Sequence, residues 1–347
     1  MKGFLELDTH FENFQDYLSP LGRDAFRLPD LAEVSLNLLS MGNYLSLLAP
    51  LLDALSPKRI CEIGAYRGVS TRALADCAKK YGGELLVVDP AIEPATAVVK
   101  ADFVQYFQML SEEFLSISRN ADVFFIDGDH NYEVVSTELR LMLEQQCHER
   151  YPILFMHDTG WPFAFRDLYY DVSRIHQPHQ LSHDYVLKLT RPEVADLAIS
   201  IQLVGDFALH EGGPRNGVRP AILDFLHANA GWKFMHLPSL YGLGVLWNGN
   251  HVQSNVAQEL EKLEQLFARI FPFASILEFN RILLLSELNR QGQVWKQDQE
   301  YIGVVNKRLT TAIEQIAHLQ SLKGASKQVV KCIVARTKQI FSATPNQ

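Results

Sequence analysis

Short apolar segments alternate with helical segments between residues 58 and 159, and this alternation constrains the fold more than any other feature of the sequence. The apolar runs are RICEIG, ELLVVDP, ADVFFIDGDH and YPILFMHDT. A helix from about Ser70 to Lys80, a crossover through YFQML and SEEFLSIS, and the helix VVSTELRLMLEQQ separate them. Parallel strands need crossovers of this kind. The pattern therefore predicts an α/β fold with a doubly wound, mostly parallel sheet and helices on both faces.

The rest of the chain divides into regions around this sheet. Residues 1–57 have leucines at three- and four-residue steps, interrupted by Pro50, and are predicted to be a helical flank or lid. The sheet domain is predicted to span 58–248, ending in the helix RPAILDFLHAN and the strands WKFMHLP and LGVLW. Within it, the polar and aromatic segment 160–216 is too long for a simple connection and is expected to be a lid or acceptor-binding insertion.

The region 249–322 is predicted to be a helical, coiled-coil-like extension. One apolar seam alternates steps of four and three residues: Val256, Leu260, Leu263, Phe267 and Ile270. A second stripe follows: Tyr301, Val304, Leu309, Ile313, Ile316 and Leu319. Two interpretations stay open, because such a seam either packs back onto its own domain or pairs with another subunit in a homo-oligomer.

Overall charge and the terminal segments limit the classes of function. The net charge of −8 argues against a general nucleic-acid binder. The acidic N-terminus lacks the apolar core of a secretory signal, and no apolar run reaches the length that spans a membrane, so a cytoplasmic location is expected. The tail 323–347 is basic and contains KQVVKCIVARTKQIF. This segment is either a solvated tail or an amphipathic helix in peripheral contact with an anionic membrane.

Polar side chains follow each of the predicted parallel strands at its carboxyl end. Glu62 and Gly64 end the first strand, Asp89 ends the next, and Asp127 and Asp158 end two later ones. Ligand sites of open α/β sheets lie at this edge. The coincidence predicts one site built from all four strand ends.

The acids of this edge suit a cation, and the histidines suit proton transfer. Asp127 and Asp158 end strands that are expected to be neighbours, so both could bind one divalent ion, which would lower the pKa of a hydroxyl. His130 lies one short turn after Asp127 and is the candidate general base. The alternatives are that the DGDHN segment, including Asp129, is a solvated turn that caps a helix and that His157 is a core histidine.

The motif EIGAYRGVST, followed by the acid of VVDP, resembles the cofactor site of class I S-adenosylmethionine-dependent methyltransferases. The glycine spacing differs from the GxGxxG of dinucleotide-binding enzymes. The resemblance implies a seven-stranded, Rossmann-like methyltransferase fold with S-adenosylmethionine as cofactor, Asp89 at the ribose, and Ser111 and Glu112 near the adenine. The other cofactor contacts that it implies are Glu62, Gly64, Ala65, Tyr66, Gly68, Ser70 and Asp127.

The segments FFIDGDHNYE and ILFMHDTGWP resemble those of metal-dependent small-molecule and sugar O-methyltransferases. The resemblance implies that Asp127, His157 and Asp158 bind magnesium and that His130 acts as base. This chain has His157 where the sugar branch has an acid. Because imidazole is a softer ligand than carboxylate, manganese, weak binding, or no metal are the alternatives to magnesium.

The segments GWPFAFRDLYYD and HEGGPRNGVRPAILDFL resemble a bacterial group of methyltransferase-like proteins. Candidate acceptor contacts follow from them: Trp161, Arg166, Asp167, Tyr169, Tyr170, His210, Glu211, Arg215 and Asn216. A polar loop braced by its own hydrogen bonds is the alternative. The resulting hypothesis is an O-methyltransferase acting on a hydroxyl of a sugar, glycan or glycosylated metabolite. An iron-dependent oxygenase and a non-catalytic cofactor-binding subunit are the other hypotheses.

Overall fold

A computed structural model of the chain describes residues 41–66, 68–92, 99–117, 120–144, 151–182 and 206–321. The predicted helical flank before Met41 and the basic tail 323–347 lie outside the described residues. The described part of the flank is helical: a 3₁₀ helix, Met41–Tyr44, runs into helix α1, Leu45–Leu55, which contains Pro50.

Nine strands are described in chain order: β1 Arg59–Ile63, β2 Glu84–Val88, β3 Val104–Phe107, β4 Val123–Ile126, β5 Ile153–Met156, β6 Leu168–Tyr169, β7 Asp206–Phe207, β8 Trp232–Leu237 and β9 Leu243–Asn248. Seven of them form one sheet in the order β3-β2-β1-β4-β5-β9-β8. The first five are parallel, and β9 runs antiparallel to β5 and β8. The prediction of a mostly parallel, seven-stranded sheet is confirmed.

Helices cover both faces of this sheet. They are α1, α2 Val69–Tyr81, α3 Ser111–Ser116, α4 Tyr132–Glu144, α5 Val218–Ala228 and the beginning of α6, which spans Ser254–Ser321. Successive residues of a strand contribute to opposite faces, so Ile60 belongs to the apolar core beneath α1, α2 and the start of α6, whereas Cys61 belongs to the core beneath α3, α4 and α5. Because both faces are covered, the central strands are apolar throughout.

The beginning of α6 packs against the core of the sheet domain. Val256, Leu260, Leu263 and Phe267 are buried there, and Ile270 is partly buried against them. This seam therefore packs on its own domain, which was one of the two predicted alternatives. Within α6, Ile282 is the last residue of the first compact unit, and the residues from Leu283 on belong to the second. For the second stripe, the structure describes the helical backbone but not the side chains.

Candidate active site

The register of the parallel strands brings their carboxyl ends to one edge of the sheet. Ile63 lies opposite Val88 on one side and Ile126 on the other, and Ile126 lies opposite Met156. The residues that follow these positions are therefore neighbours. This alignment carries the glycine loop, Asp89, Asp127 and the pair His157 and Asp158 to a common edge.

The loop after β1 approaches the end of β4 so closely that only glycine fits at its first position. Gly64 has a φ of 84°, and a Cβ there would lie 2.1 Å from the carbonyl oxygen of Asp127. Gly68 has a φ of 73° and precedes α2. Both glycines thus satisfy backbone requirements that side-chain-bearing residues rarely meet.

Glu62 lies beneath this loop, where the protein's own hydroxyl groups bond to its carboxylate. Ser70 donates to one oxygen and Thr71 donates to the other at 2.6 Å. Glu62 is fully buried, and burial raises its pKa to about 7, although the two hydroxyl groups oppose that rise. The predicted contacts Glu62 and Ser70 therefore lie together, but in the structure they bond to each other and secure the start of α2.

Asp89 performs a similar task from the end of β2. One oxygen accepts from the backbone N–H groups of Ala65 and Tyr66 at 2.9 and 3.0 Å, and the other accepts from that of Ala91 at 2.7 Å. Its carboxylate fixes the glycine loop. Asp89 is 9% exposed at the same edge, and its predicted contact with the ribose stays a prediction.

Four side chains at the ends of β4 and β5, namely Asp127, His130, His157 and Asp158, form what we call the acid–histidine cluster. His157 Nδ1 lies 3.0 Å from Asp127 Oδ1 and 2.9 Å from Asp158 Oδ2. His130 Nδ1 lies 3.4 Å from the same oxygen of Asp158. The structure thus brings these four predicted site residues together.

The protonation of His157 follows from its partners. Its Nε2 lies 3.0 Å from the backbone carbonyl oxygen of Leu240, which can only accept, so Nε2 carries a proton. Burial alone would lower the pKa of His157, but the carboxylates of Asp127 and Asp158 raise it well above the usual value. Burial would likewise raise the pKa of Asp158, yet His130 and His157 hold it below its usual range. Without an ion, the cluster is an imidazolium shared by two carboxylates.

The same three residues fit a divalent cation. One ligand atom from each of Asp127, His157 and Asp158 lies within 4.8 Å of the others. Adjacent ligands of an octahedral ion with bonds of about 2.1 Å are separated by about 3 Å, which is close to the spacing of His157 Nδ1 from both carboxylates. In this case Nδ1 binds the ion in place of a proton, while the bond from Nε2 to a carbonyl group orients the ring.

His130 is held by aromatic rings as well as by Asp158. Its ring stacks on Phe163 with centroids 5.6 Å apart and meets the edge of Tyr170 at 5.8 Å. Tyr170 is 62% exposed. Partial desolvation, followed by the charges of Asp158, Asp127 and other strand-end acids, raises the pKa of Tyr170. Among the predicted loop contacts, Tyr170 is thus the one whose pKa is raised by these acids.

The predicted adenine contacts are joined by an arginine that the sequence did not suggest. Ser111 donates to Glu112 at 3.1 Å, and Arg174 donates to Glu112 at 2.9 Å. Arg174 also lies 3.8 Å from Asp129, whose pKa is raised by burial. Arg174, in the segment after β6, therefore joins the start of α3 to the loop after β4.

Several predicted acceptor contacts instead brace their own loop. Tyr169 donates to Asp167 at 2.9 Å, and Asp167 also accepts from the backbone N–H groups of Tyr132 and Gly217 at 2.7 and 2.6 Å. Asn216 accepts from the backbone of Asp167 and donates to two carbonyl groups of its own loop. Arg166 is buried and donates to two carbonyl groups after β7. These contacts favour the braced-loop interpretation for these side chains.

For three further acceptor candidates, the contacts that the structure describes are with residues other than those of the acid–histidine cluster. Trp161 packs on the small apolar core of Phe163, Leu168 and Phe207. The guanidinium group of Arg215 lies over the ring of Tyr132 at 5.8 Å. His210 is exposed, and its backbone carbonyl accepts from Asn216.

Sequence reasoning missed the residues that surround His157 from distant parts of the chain. Tyr44 packs edge-on to His157, with centroids 6.2 Å apart, and Tyr241 lies 6.1 Å from it. Glu278 of α6 accepts from the backbone of Leu240 at 2.8 Å. One signal was available, because Glu278 follows the buried Phe267 and Ala274 at helical spacing and is therefore an acid on an apolar face.

A comparison with protein-family models found a match in this region. A family model described as a methyltransferase domain matches residues 61–159, which contain the glycine loop, Asp89 and the whole acid–histidine cluster. Residues 61–159 are thus similar to a methyltransferase domain, and they lie within a seven-stranded, Rossmann-like sheet. No curated protein matches the chain in sequence.

Solved structures with similarity to the chain include several methyltransferases. The S-adenosylhomocysteine-bound methyltransferase PaMTH1 of Podospora anserina is 16% identical, with a TM-score of 0.36 over 67% of this chain and 85% of that one. The O-methyltransferase TomG of Streptomyces achromogenes, in complex with S-adenosylmethionine, is 14% identical, with a TM-score of 0.37 over 60% and 82%.

Proposed function

We propose that the protein is an S-adenosylmethionine-dependent O-methyltransferase that uses the acid–histidine cluster to deprotonate its acceptor. One observation carries this proposal: the glycine loop lies directly against the cluster, because Gly64 packs on the backbone of Asp127. A methyl donor held by the loop would therefore be next to the groups that bind a cation and move a proton.

The strand-end edge suits S-adenosylmethionine by its shape and charge. The two loop glycines let the backbone approach a ligand, and Asp89, Glu112 and Asp127 are acids, which favour a ligand with an amino group and a sulfonium over a pyrophosphate. When bound, S-adenosylmethionine would supply an electrophilic methyl group. Asp89 would hold the loop that receives it, and the Arg174–Glu112 pair would border the adenine.

The chain's own residues would prepare the acceptor. Asp127, Asp158 and His157 Nδ1 would hold a divalent cation, whose chemistry is to lower the pKa of a nearby hydroxyl group. Asp158 would orient His130 through Nδ1, which leaves Nε2 to take the hydroxyl proton. Tyr170, at the edge of His130, would contact the acceptor and help exclude water. Much of the rate gain would come from positioning the two reactants.

A sugar, glycan or glycosylated metabolite is the proposed acceptor, with magnesium or manganese as the metal. The support for this choice is the resemblance of the DGDH and HDTGW segments to sugar O-methyltransferases. A homo-oligomer, a cytoplasmic location and membrane contact through the tail stay predictions. Among the described residues, no helix combines the length and apolar character needed to cross a bilayer.

The test begins with calorimetric titration of the full chain with S-adenosylmethionine and S-adenosylhomocysteine, with and without magnesium. We expect both to bind, and we expect Asp127→Asn to keep S-adenosylhomocysteine affinity while losing methyl transfer to a panel of sugar acceptors. Absence of binding by either ligand would reject the cofactor assignment. Near-normal turnover by Asp127→Asn would reject the role of the cluster.

A control experiment distinguishes the proposed methyltransferase from the alternative, an iron-dependent oxygenase. The same donor set binds iron, so oxygen consumption by the iron-loaded protein, without S-adenosylmethionine, would favour that alternative instead. A cofactor-binding subunit without activity would bind both ligands but turn over no acceptor in any extract fraction.

A further inference from the structure

The turn between β8 and β9 has an unusual backbone next to the acid–histidine cluster. Leu240, Tyr241 and Gly242 have φ angles of 48°, 70° and 93°, so three consecutive residues are left-handed and two of them carry large side chains. Such a conformation persists only where surrounding contacts hold it. We call residues 239–242 the β8–β9 turn.

Glu278 of α6 holds this turn by its backbone. Its two carboxylate oxygens accept from the N–H groups of Leu240 and Tyr241 at 2.8 and 3.3 Å. Arg281, one helical turn later, donates to Glu278 at 2.8 Å and lies over the ring of Tyr241 at 4.2 Å. Glu278 is only 7% exposed, so its charge is used inside the protein.

The opposite side of the turn is held by two other elements. The hydroxyl group of Tyr44 bonds to the carbonyl oxygens of Ser239 and Leu240. Gly160 donates to the carbonyl oxygen of Tyr241 at 2.6 Å, and a Cβ on Gly242 would lie 2.3 Å from the nitrogen of Gly160. The turn is therefore fixed against the segment that directly follows His157 and Asp158.

We infer that Glu278 is a positioning residue for the active site: it fixes the β8–β9 turn so that the Leu240 carbonyl holds His157 Nε2 and directs Nδ1 at Asp127 and Asp158. The carbonyl of Leu240 lies 3.0 Å from Nε2. A carbonyl can only accept, so this contact determines which nitrogen carries the fixed proton and which one faces the carboxylates. The part of this inference that concerns a cation rests on the proposed function.

An ordinary helix-surface ion pair is the competing explanation for Glu278 and Arg281. The chain provides a matched comparison, since Glu259 and Lys262 form a pair with the same spacing on the same helix, at 2.6 Å. None of the hydrogen bonds described for Glu259 reaches the β8–β9 turn. Substitution of Glu259 therefore measures what loss of a pair on α6 does by itself.

The first measurement is Mn²⁺ binding to the full chain, followed by electron paramagnetic resonance. We expect Glu278→Gln and Glu278→Ala to weaken Mn²⁺ binding by about 10- to 100-fold, the range found when a group that orients a metal ligand is lost. Glu259→Gln should bind Mn²⁺ as the wild type does. Affinity for S-adenosylhomocysteine should change little in any variant, and this also confirms that the variants are folded.

The second measurement needs no metal. In histidine-labelled protein, the Nε2 proton of His157 should give a resonance protected from solvent exchange, assigned by its loss in His157→Gln. We expect the resonance to persist in Glu259→Gln and to exchange rapidly in Glu278→Ala. Wild-type Mn²⁺ affinity together with a protected proton in folded Glu278 variants would overturn the inference. If the wild type binds no Mn²⁺, the metal role in the proposed function fails, whereas the proton resonance still decides the role of Glu278.

Discussion

The acids at the ends of β1 and β2 differ from those at the ends of β4 and β5. Glu62 and Asp89 accept hydrogen bonds from hydroxyl and backbone N–H groups, which are neutral donors fixed by the fold. Asp127 and Asp158 instead face histidines, whose charge depends on a proton. A position at a strand end therefore does not make an acid reactive; the kind of donor opposite it does.

This difference divides the site by task. Carboxylates bonded to fixed donors secure the glycine loop, where the chemistry requires shape. Where carboxylates face a histidine, a cation can take the place of the histidine proton, because Nδ1 of a neutral imidazole is a metal ligand. The two pairs lie at one edge of the sheet and meet where Gly64 contacts Asp127.

Breaking that contact should have the largest effect. In Gly64→Ala, the added Cβ would lie 2.1 Å from the Asp127 carbonyl oxygen at a φ of 84°, so the loop has to move. We expect S-adenosylhomocysteine affinity to fall by about 100-fold or more and unfolding free energy to fall by about 2–4 kcal/mol. Calorimetry and urea unfolding measure these two quantities. Gly82→Ala is the control, since a Cβ there meets nothing within 4 Å, and equal losses in both variants would refute the contact's role.

Removal of the proposed base should affect turnover but not cofactor binding. We expect His130→Ala to lower kcat by about 10²- to 10³-fold, in the range typical of lost general-base catalysis. Affinity for S-adenosylhomocysteine should stay near that of the wild type, because none of the hydrogen bonds described for the glycine loop involves the His130 ring. His227→Ala, on the exposed last turn of α5, controls for loss of a histidine. A normal kcat in His130→Ala would place the base elsewhere.

Metal affinity should depend on pH through His157. Asp127 and Asp158 raise its pKa, so the metal-free protein keeps the Nδ1 proton to a higher pH than is usual for histidine. An ion must displace that proton, and we therefore expect Mn²⁺ affinity to rise by up to about tenfold per pH unit while His157 is protonated. Titrations between about pH 6 and 8.5 test this. In His157→Gln the slope should flatten; an unchanged slope would show that another group governs it.

The sequence was sufficient to predict the sheet and the cluster because both depend on local patterns. Apolar runs predicted the strands, and the register of parallel strands then required Asp127 and Asp158 to meet. Tyr44 and Glu278 bind the β8–β9 turn, and they lie 195 and 38 residues, respectively, from their partners along the chain. No local pattern specifies such partners, although the acid on the apolar face of α6 was a signal.

The acceptor loop was harder to predict for a different reason. Arg166, Tyr169 and Asn216 are residue types that suit substrate contacts, but the structure places their polar atoms on backbone groups and on Asp167. A buried loop must satisfy its own carbonyl and N–H groups, and polar side chains serve this need as well as they serve a ligand. Composition alone does not distinguish the two uses.

The last prediction concerns stability alone and compares two buried acids, Glu62 and Glu138. Burial raises the pKa of Glu138 on α4 to about 8, partly offset by Ser111, and raises that of Glu62 to about 7 against two hydroxyl donors. Neither oxygen of Glu138 makes a hydrogen bond of normal geometry, although Ser111 is close enough to lower its pKa. Because both pKa values exceed that of an unfolded glutamate, the stability that the protonated acids contribute is complete below about pH 4.5. It is lost as pH rises through about 7 for Glu62 and about 8 for Glu138.

Glutamine keeps the shape of each side chain and removes its titration. We therefore expect the unfolding free energy of the wild type to fall by a few kcal/mol between about pH 5 and 8.5, and Glu138→Gln to remove more of that fall than Glu62→Gln does. Urea unfolding at several pH values measures the slope, which separates the effect from any constant cost of the substitution. If Glu62→Gln flattened the slope more than Glu138→Gln, the two hydroxyl donors would not be what limits the rise in the pKa of Glu62, and the distinction between acids with fixed donors and acids without them would fail.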